Sequence, residues 1–97
     1  PLESAQRELH EETGFGDGEW THLMTISPNT SSVNNQCHCF VARGVKRVSA
    51  PHQEATEDIS VHFLTVDEVR SLLLHNEIKQ ALMLAPLWRY FAEHHLW

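Results

Sequence analysis

Residues 36–43, Gln-Cys-His-Cys-Phe-Val-Ala-Arg, constrain the fold of this chain more than any other stretch. Extended as a strand, they set Cys37, Cys39 and Val41 on one side and His38, Phe40 and Ala42 on the other. Both sides are mostly apolar, which predicts a strand covered on two faces. Segments with helical spacing can supply that cover. Leu2, Ala5 and Leu9 share a face, as do Val66, Val69, Leu72 and Leu73, and again Ile78, Ala81, Leu82 and Ala85. Residues 20–26 and 59–64 read as two further strands. The class is therefore α/β, in a single small domain.

The punctuation of these segments is mostly local. Gly14 followed by Phe15 ends the first helix as a left-handed cap with an apolar follower. Ser27-Pro28-Asn29-Thr30-Ser31-Ser32 is a loop, and residues 48–58 form a polar, acidic one. Thr65-Val66-Asp67-Glu68 has the spacing of a capping box, and Asn76 is a candidate cap for the next helix. Pro86 is expected to break or kink that helix. Leu87, Trp88, Tyr90, Phe91 and Leu96 give it an amphipathic tail. Three strands are too few for a well-buried sheet between helices, which predicts N-terminal strands missing from this chain and, for the chain alone, a possible homodimer.

Charge narrows the function. A net charge of −6 argues against a general nucleic-acid binder, which needs a basic patch. A phosphate-bearing small molecule stays compatible if a divalent cation mediates the contact. The apolar run at 81–88, interrupted by Pro86, is too short to span a bilayer, so no membrane partner is expected. The opening Pro-Leu-Glu-Ser lacks the basic start and apolar core of a secretory signal. With two cysteines one residue apart and no disulfide framework, the expected location is cytoplasmic.

The chemistry concentrates in Arg7-Glu8-Leu9-His10-Glu11-Glu12. At roughly 100° per residue, Glu8, Glu11 and Glu12 fall on one arc of a helix beside its apolar face. Like charges at such spacing cost about 0.2–0.5 kcal/mol per pair. Glu11 and Glu12 also occupy the last turn before Gly14, where the helix dipole already disfavours anions. A bound hard cation would remove the conflict, since Mg²⁺ takes carboxylate oxygens and bridges to substrate phosphates. Arg7, four residues before Glu11, is placed to pair with it and orient it. The plain alternative is a solvated acidic face.

Residues 5–15, Ala-Gln-Arg-Glu-Leu-His-Glu-Glu-Thr-Gly-Phe, resemble the second half of the Nudix box, Arg-Glu-aliphatic-X-Glu-Glu-X-Gly-aliphatic. Every defined position is matched, with Phe15 as the final apolar residue; the first half of the box would lie before Pro1. The segments around Ser27-Pro28, Phe40-Val41-Ala42-Arg43-Gly44, residues 54–62 and residues 76–81 are similar, in order and spacing, to the ADP-ribose pyrophosphatase branch. Asn29-Thr30 departs from the proline-glycine common in that branch. The resemblance implies a Nudix α/β/α sandwich with a mixed sheet. Residues 1–97 would be the C-terminal part of one Nudix hydrolase domain, with the box helix at 2–13.

The resemblance also implies roles. Glu8, Glu11 and Glu12 correspond to the metal-binding positions for Mg²⁺ or Mn²⁺, with Glu11 also among the catalytic candidates. A glutamate of the acidic loop, Glu57 or alternatively Glu54, would support the metal or deprotonate the attacking water. The implied reaction is Mg²⁺-dependent cleavage of the pyrophosphate in a nucleoside diphosphate linked to another moiety, ADP-ribose or a nucleotide sugar. The alternative is a non-catalytic Nudix-like module that binds a nucleotide or a protein.

Other suggestive residues have plainer readings. Cys37-His38-Cys39 is tighter than the usual zinc spacing, and on a strand His38 points away from both thiols. His94-His95 reads as a polar helix tail. Trp88, Tyr90 and Phe91 read as core or interface, and Trp20 as a packed strand residue rather than a base-stacking platform.

Overall fold

The computed structural model describes residues 1–29, 35–50 and 61–97. Helix α1 spans Leu2–Thr13, followed by strands β1 (Phe15–Gly16), β2 (Glu19–Ile26), β3 (Cys37–Arg43) and β4 (Lys46–Arg47). Helices α2 (Val66–Leu74) and α3 (Ala81–Glu93) complete the order. Helix and strand occur together, as the α/β class requires. Among the described residues the strands form two two-stranded sheets, β1 with β4 and β2 with β3. The first is antiparallel, with Phe15 opposite Arg47 and Gly16 opposite Lys46. No helix among the described residues is long and apolar enough to cross a membrane.

The chain divides into two compact units. One holds the described residues of Pro1–His22 and Phe40–His62, and the other those of Leu23–Cys39 and Phe63–Trp97. Strands β2 and β3 contribute to both. On β3 both faces are half-buried rather than sealed: Cys37, Cys39 and Val41 on one, Phe40 and Ala42 on the other, with His38 exposed.

In the first unit α1 has no buried residue; Ala5 and Leu9 are half-buried. The helix is held at its end. Gly14 adopts φ 79°, its N–H donates to the His10 carbonyl, and its own carbonyl accepts from Val48 and Ser49. A Cβ at Gly14 would lie 2.1 Å from the Ser49 carbonyl oxygen, so only glycine fits both the backbone angle and the approach. The short β1–β4 pairing continues from this junction, with the Arg47 guanidinium 5.0 Å from the Phe15 ring centroid. Asp17 and Gly18 then turn the chain at positive φ, where an added Cβ on Gly18 would meet the Arg43 carbonyl oxygen.

In the second unit the core lies on α2 and α3, where Leu73 is 5% and Phe91 3% exposed. The capping box at Thr65 is complete: its hydroxyl accepts from the Glu68 N–H, and the Glu68 carboxylate accepts from the Thr65 N–H. Asp67 pairs with Arg70 one turn on, and the Arg70 side chain also donates to the Leu96 carbonyl.

Three sequence expectations are corrected here. The strand at 59–64 is absent over Val61–Leu64, which is irregular and exposed, with Phe63 at 72%. A run of strand-forming residues becomes a strand only when its backbone joins a ladder, and Val61–Leu64 belongs to neither two-stranded sheet of the described residues. Asn76 does not cap the next helix but ends the previous one. At φ 55° it donates to the Leu73 carbonyl while Glu77 donates to Leu72, a Schellman arrangement that asparagine tolerates. The next helix starts only at Ala81, with Gln80 before it. The break at Pro86 does not occur, and α3 runs from Ala81 to Glu93. Pro86 falls in the second turn, where it removes one bond to the Leu82 carbonyl. The half-buried residues 84–88 and buried Phe91 hold the helix around it. His94 and His95 end this helix: His95, at φ 52°, donates to Ala92 and Leu96 donates to Phe91.

Candidate functional site

The acidic residues sit where the helix pattern puts them, on the last two turns of α1. Glu8 and Glu11 are exposed and Glu12 is half-buried. Gly14 sets the limit of this face, because its left-handed conformation stops the helix two residues after Glu12. Thr13 helps, with its hydroxyl donating to the Leu9 carbonyl at 2.6 Å and accepting from the Phe15 N–H. Arg7 is exposed, and among the described residues it makes no ion pair with Glu11. No group of three His, Cys, Asp or Glu side chains among the described residues converges as a ready-made metal cage. Glu8, Glu11 and Glu12 place three carboxylates on one face of the helix. Glu54 and Glu57 lie outside the described residues.

A cleft of about 350 Å³ opens beside the same helix, lined by Gln6, His10, Gly16, Asp17, Trp20 and Val48 among others. At roughly 100° per residue, Gln6 and His10 face away from the acidic arc, so cleft and carboxylates occupy opposite sides of α1. Trp20 is half-buried, lines this cleft, and donates from Nε1 to the Asp17 carbonyl at 3.0 Å.

His10 is the residue that sequence reasoning passes over. It occupies the variable position of the acidic motif, yet its Nε2 lies 2.9 Å from the Ser49 hydroxyl, 39 residues away in sequence. The Ser49 hydroxyl donates to the Ala50 carbonyl at 3.1 Å. When the hydroxyl hydrogen goes to Ala50, Nε2–H is the donor to the Ser49 oxygen and the pair is a tether; the opposite direction goes with the other imidazole tautomer. Nothing in the local sequence signals such a contact.

The cysteines sit on β3 as free, half-buried thiols. Burial pushes the Cys39 thiol above its usual range, and the charge and hydrogen bond of Cys37 add to the effect. A thiol held protonated is a weaker nucleophile and metal ligand. His38, exposed, lies 3.0 Å through Nδ1 from the Thr25 hydroxyl.

No known family model matches the chain. The chain is similar to a CMP-5'-(N-acetyl-N-hydroxy-3-aminopropyl)phosphonate hydrolase from Streptomyces rubellomurinus, with 34% identity over 73 residues. The match covers 75% of this chain and 35% of that protein, so the chain spans about a third of the length of the curated relative it matches.

Proposed function

We propose that this chain is the C-terminal part of a Nudix hydrolase domain and supplies the metal-binding helix for pyrophosphate cleavage. The observation that carries this reading is α1 itself. It gathers Glu8, Glu11 and Glu12 on one outward face, at the helix end where anions are least stable, and stops at a glycine that no other residue can replace without strain. The similarity to a hydrolase of a CMP-phosphonate supports it, since that substrate is also a nucleotide joined to another moiety.

The donor set fits a hard divalent cation that keeps some of its water, because all three side chains offer carboxylate oxygen and two of them, Glu8 and Glu11, are exposed. Bound there, Mg²⁺ or Mn²⁺ would polarise phosphoryl oxygen and neutralise developing charge. Glu8, Glu11 and Glu12 would hold it, and Arg7 would orient the Glu11 carboxylate. Glu57, or in its place Glu54, would take the proton of the attacking water on a carboxylate oxygen. Little covalent work then falls to the protein; positioning and electrostatics supply most of the rate.

The substrate class we infer is a nucleoside diphosphate linked to another moiety, with ADP-ribose and nucleotide sugars first. A panel of ADP-ribose, nucleotide sugars, CMP conjugates and nucleoside triphosphates, assayed with Mg²⁺, tests it. A clear preference for triphosphates would remove the substrate class and leave the reaction type. Equal Mn²⁺ affinity in the protein and its Glu12→Gln variant would remove the metal assignment.

A further inference from the structure

We propose that the cleft beside α1 is a second ligand site, which takes the amino-bearing base of a nucleoside such as adenosine or cytidine. It lies on the side of the helix away from Glu8, Glu11 and Glu12. It is therefore separate from the metal and pyrophosphate chemistry proposed above, and it stands whether or not that chemistry is found.

Size and shape select a small flat ligand. At about 350 Å³ the cleft is at the lower end of the range for small-molecule sites, roughly 300–1,000 Å³, so it suits one nucleoside and not a dinucleotide. Gly16 keeps its floor open. A Cβ there would lie 3.0 Å from a Val48 methyl and 3.9 Å from the His10 ring, two of the lining groups. The pairing of Gly16 with Lys46 holds that bare stretch of backbone in place. Apolar contact comes from the exposed Val48 and from Trp20. The sequence alone makes Trp20 a packed strand residue, but half-burial on a cleft wall leaves part of its ring for a flat partner. Its Nε1 bond to the Asp17 carbonyl fixes the indole, as the contact with Ser49 fixes His10. Walls tied in advance lose little freedom when a ligand enters.

Charge selects the base and rejects the phosphate. Asp17 is exposed and is in neither ion pair of the described residues, and no lysine or arginine lines the cleft. A phosphate would meet a carboxylate without a compensating cation. An exocyclic amino group would instead donate to the Asp17 carboxylate, and the Gln6 amide would donate to the neighbouring ring nitrogen. Adenine and cytosine carry that edge. Inosine and uridine carry the reverse of it, with a carbonyl toward the carboxylate.

The test titrates adenosine, inosine, cytidine, uridine and AMP into the full protein, following the indole N–H signal of Trp20 by NMR, with Trp20→Phe to assign it. Adenosine and cytidine should shift that signal with dissociation constants on the order of 0.1 mM, equally with and without Mn²⁺. Inosine, uridine and AMP should each bind about tenfold more weakly than their amino-bearing, phosphate-free counterparts. Gly16→Ala, at a residue outside the positive-φ region, should weaken adenosine about tenfold by filling the floor. Asp17→Asn should weaken it about fivefold, since asparagine tolerates φ 58° as aspartate does but leaves no charge to accept the amino group. No saturable shift with adenosine or cytidine would overturn the proposal. So would equal affinity for adenosine and inosine, or binding that requires Mn²⁺, which would place the nucleoside on the acidic face instead. If Gly16→Ala fails to fold, Asp17→Asn decides, and full affinity in that variant would overturn the site.

Discussion

Helices α1 and α3 are nearly equal in length and are held in opposite ways. Helix α1 buries none of its side chains and is fixed by backbone bonds at its C-terminal end. Helix α3 is apolar along much of its length, buries Phe91, and carries a proline that its packing outweighs. Both end on a left-handed residue, but α1 uses glycine against a close carbonyl where α3 uses His95. The difference teaches how one chain divides labour. A helix anchored through its backbone keeps its surface for charge, whereas α3, anchored through its side chains, keeps only the outer strip that carries the Arg89–Glu93 pair.

The largest expected effect lies on α3. Phe91→Ala removes one of the two buried apolar side chains of the described residues and should cost about 3–5 kcal/mol. Leu9→Ala on α1 removes a half-buried side chain and should cost less than half as much. Denaturant unfolding of the two variants measures both, and equal losses would break the comparison.

The helix ends come next and should respond with opposite sign. Gly14→Ala places a Cβ at positive φ and against the Ser49 carbonyl, for a loss of about 2–3 kcal/mol. His95→Gly relieves the same backbone angle without any such contact and should stabilise by up to about 1 kcal/mol. A destabilised His95→Gly would mean that the imidazole contributes more than its strain costs.

This contrast also explains what the sequence made legible. Helix α1, its Gly14 stop and the Thr65–Glu68 box depend on residues within one turn of each other, so spacing alone reveals them. The pairing of Phe15-Gly16 with Lys46-Arg47 and the bond from His10 to Ser49 join distant residues, and no local pattern encodes them. Asn76 was readable as a cap but not as which cap, because asparagine suits both a helix start and a left-handed end. Within the candidate site, the common face of Glu8, Glu11 and Glu12 follows directly from helical period. The places of Glu54 and Glu57 lie outside the described residues, and nothing about their spacing would supply them.

A smaller effect tests whether the surface of α1 is shaped for function. Glu11→Gln removes an anion from the negative end of the helix dipole and should stabilise the metal-free protein by a few tenths of a kcal/mol, about 0.3–1 at most. The same change should weaken the stabilisation that added Mn²⁺ confers, because that gain depends on binding to the folded state. Thermal unfolding with and without Mn²⁺ reads both signs. A variant less stable without metal and equally stabilised by it would return the acidic face to simple solvation.

The smallest effect belongs to β3, whose two thiols are free and half-buried. Burial raises the Cys39 thiol above its ordinary value of 9.0, and Cys37 raises it further. In the unfolded chain the thiol loses its proton at the ordinary value, while in the folded protein it keeps it to higher pH. Between the two the folded state binds more protons, so the slope of stability with pH is negative. The contribution is therefore fully present below pH 9.0 and is lost as pH rises through the raised folded value. Cys39→Ser should flatten the alkaline fall in stability slightly. Cys37→Ser should do so in part, since burial is the larger cause and remains. Unfolding curves from neutral pH to above pH 9.0, under reducing conditions, measure the difference. If Cys37→Ser flattened the fall as much as Cys39→Ser, the charge of the neighbouring thiolate, and not burial, would be the dominant cause.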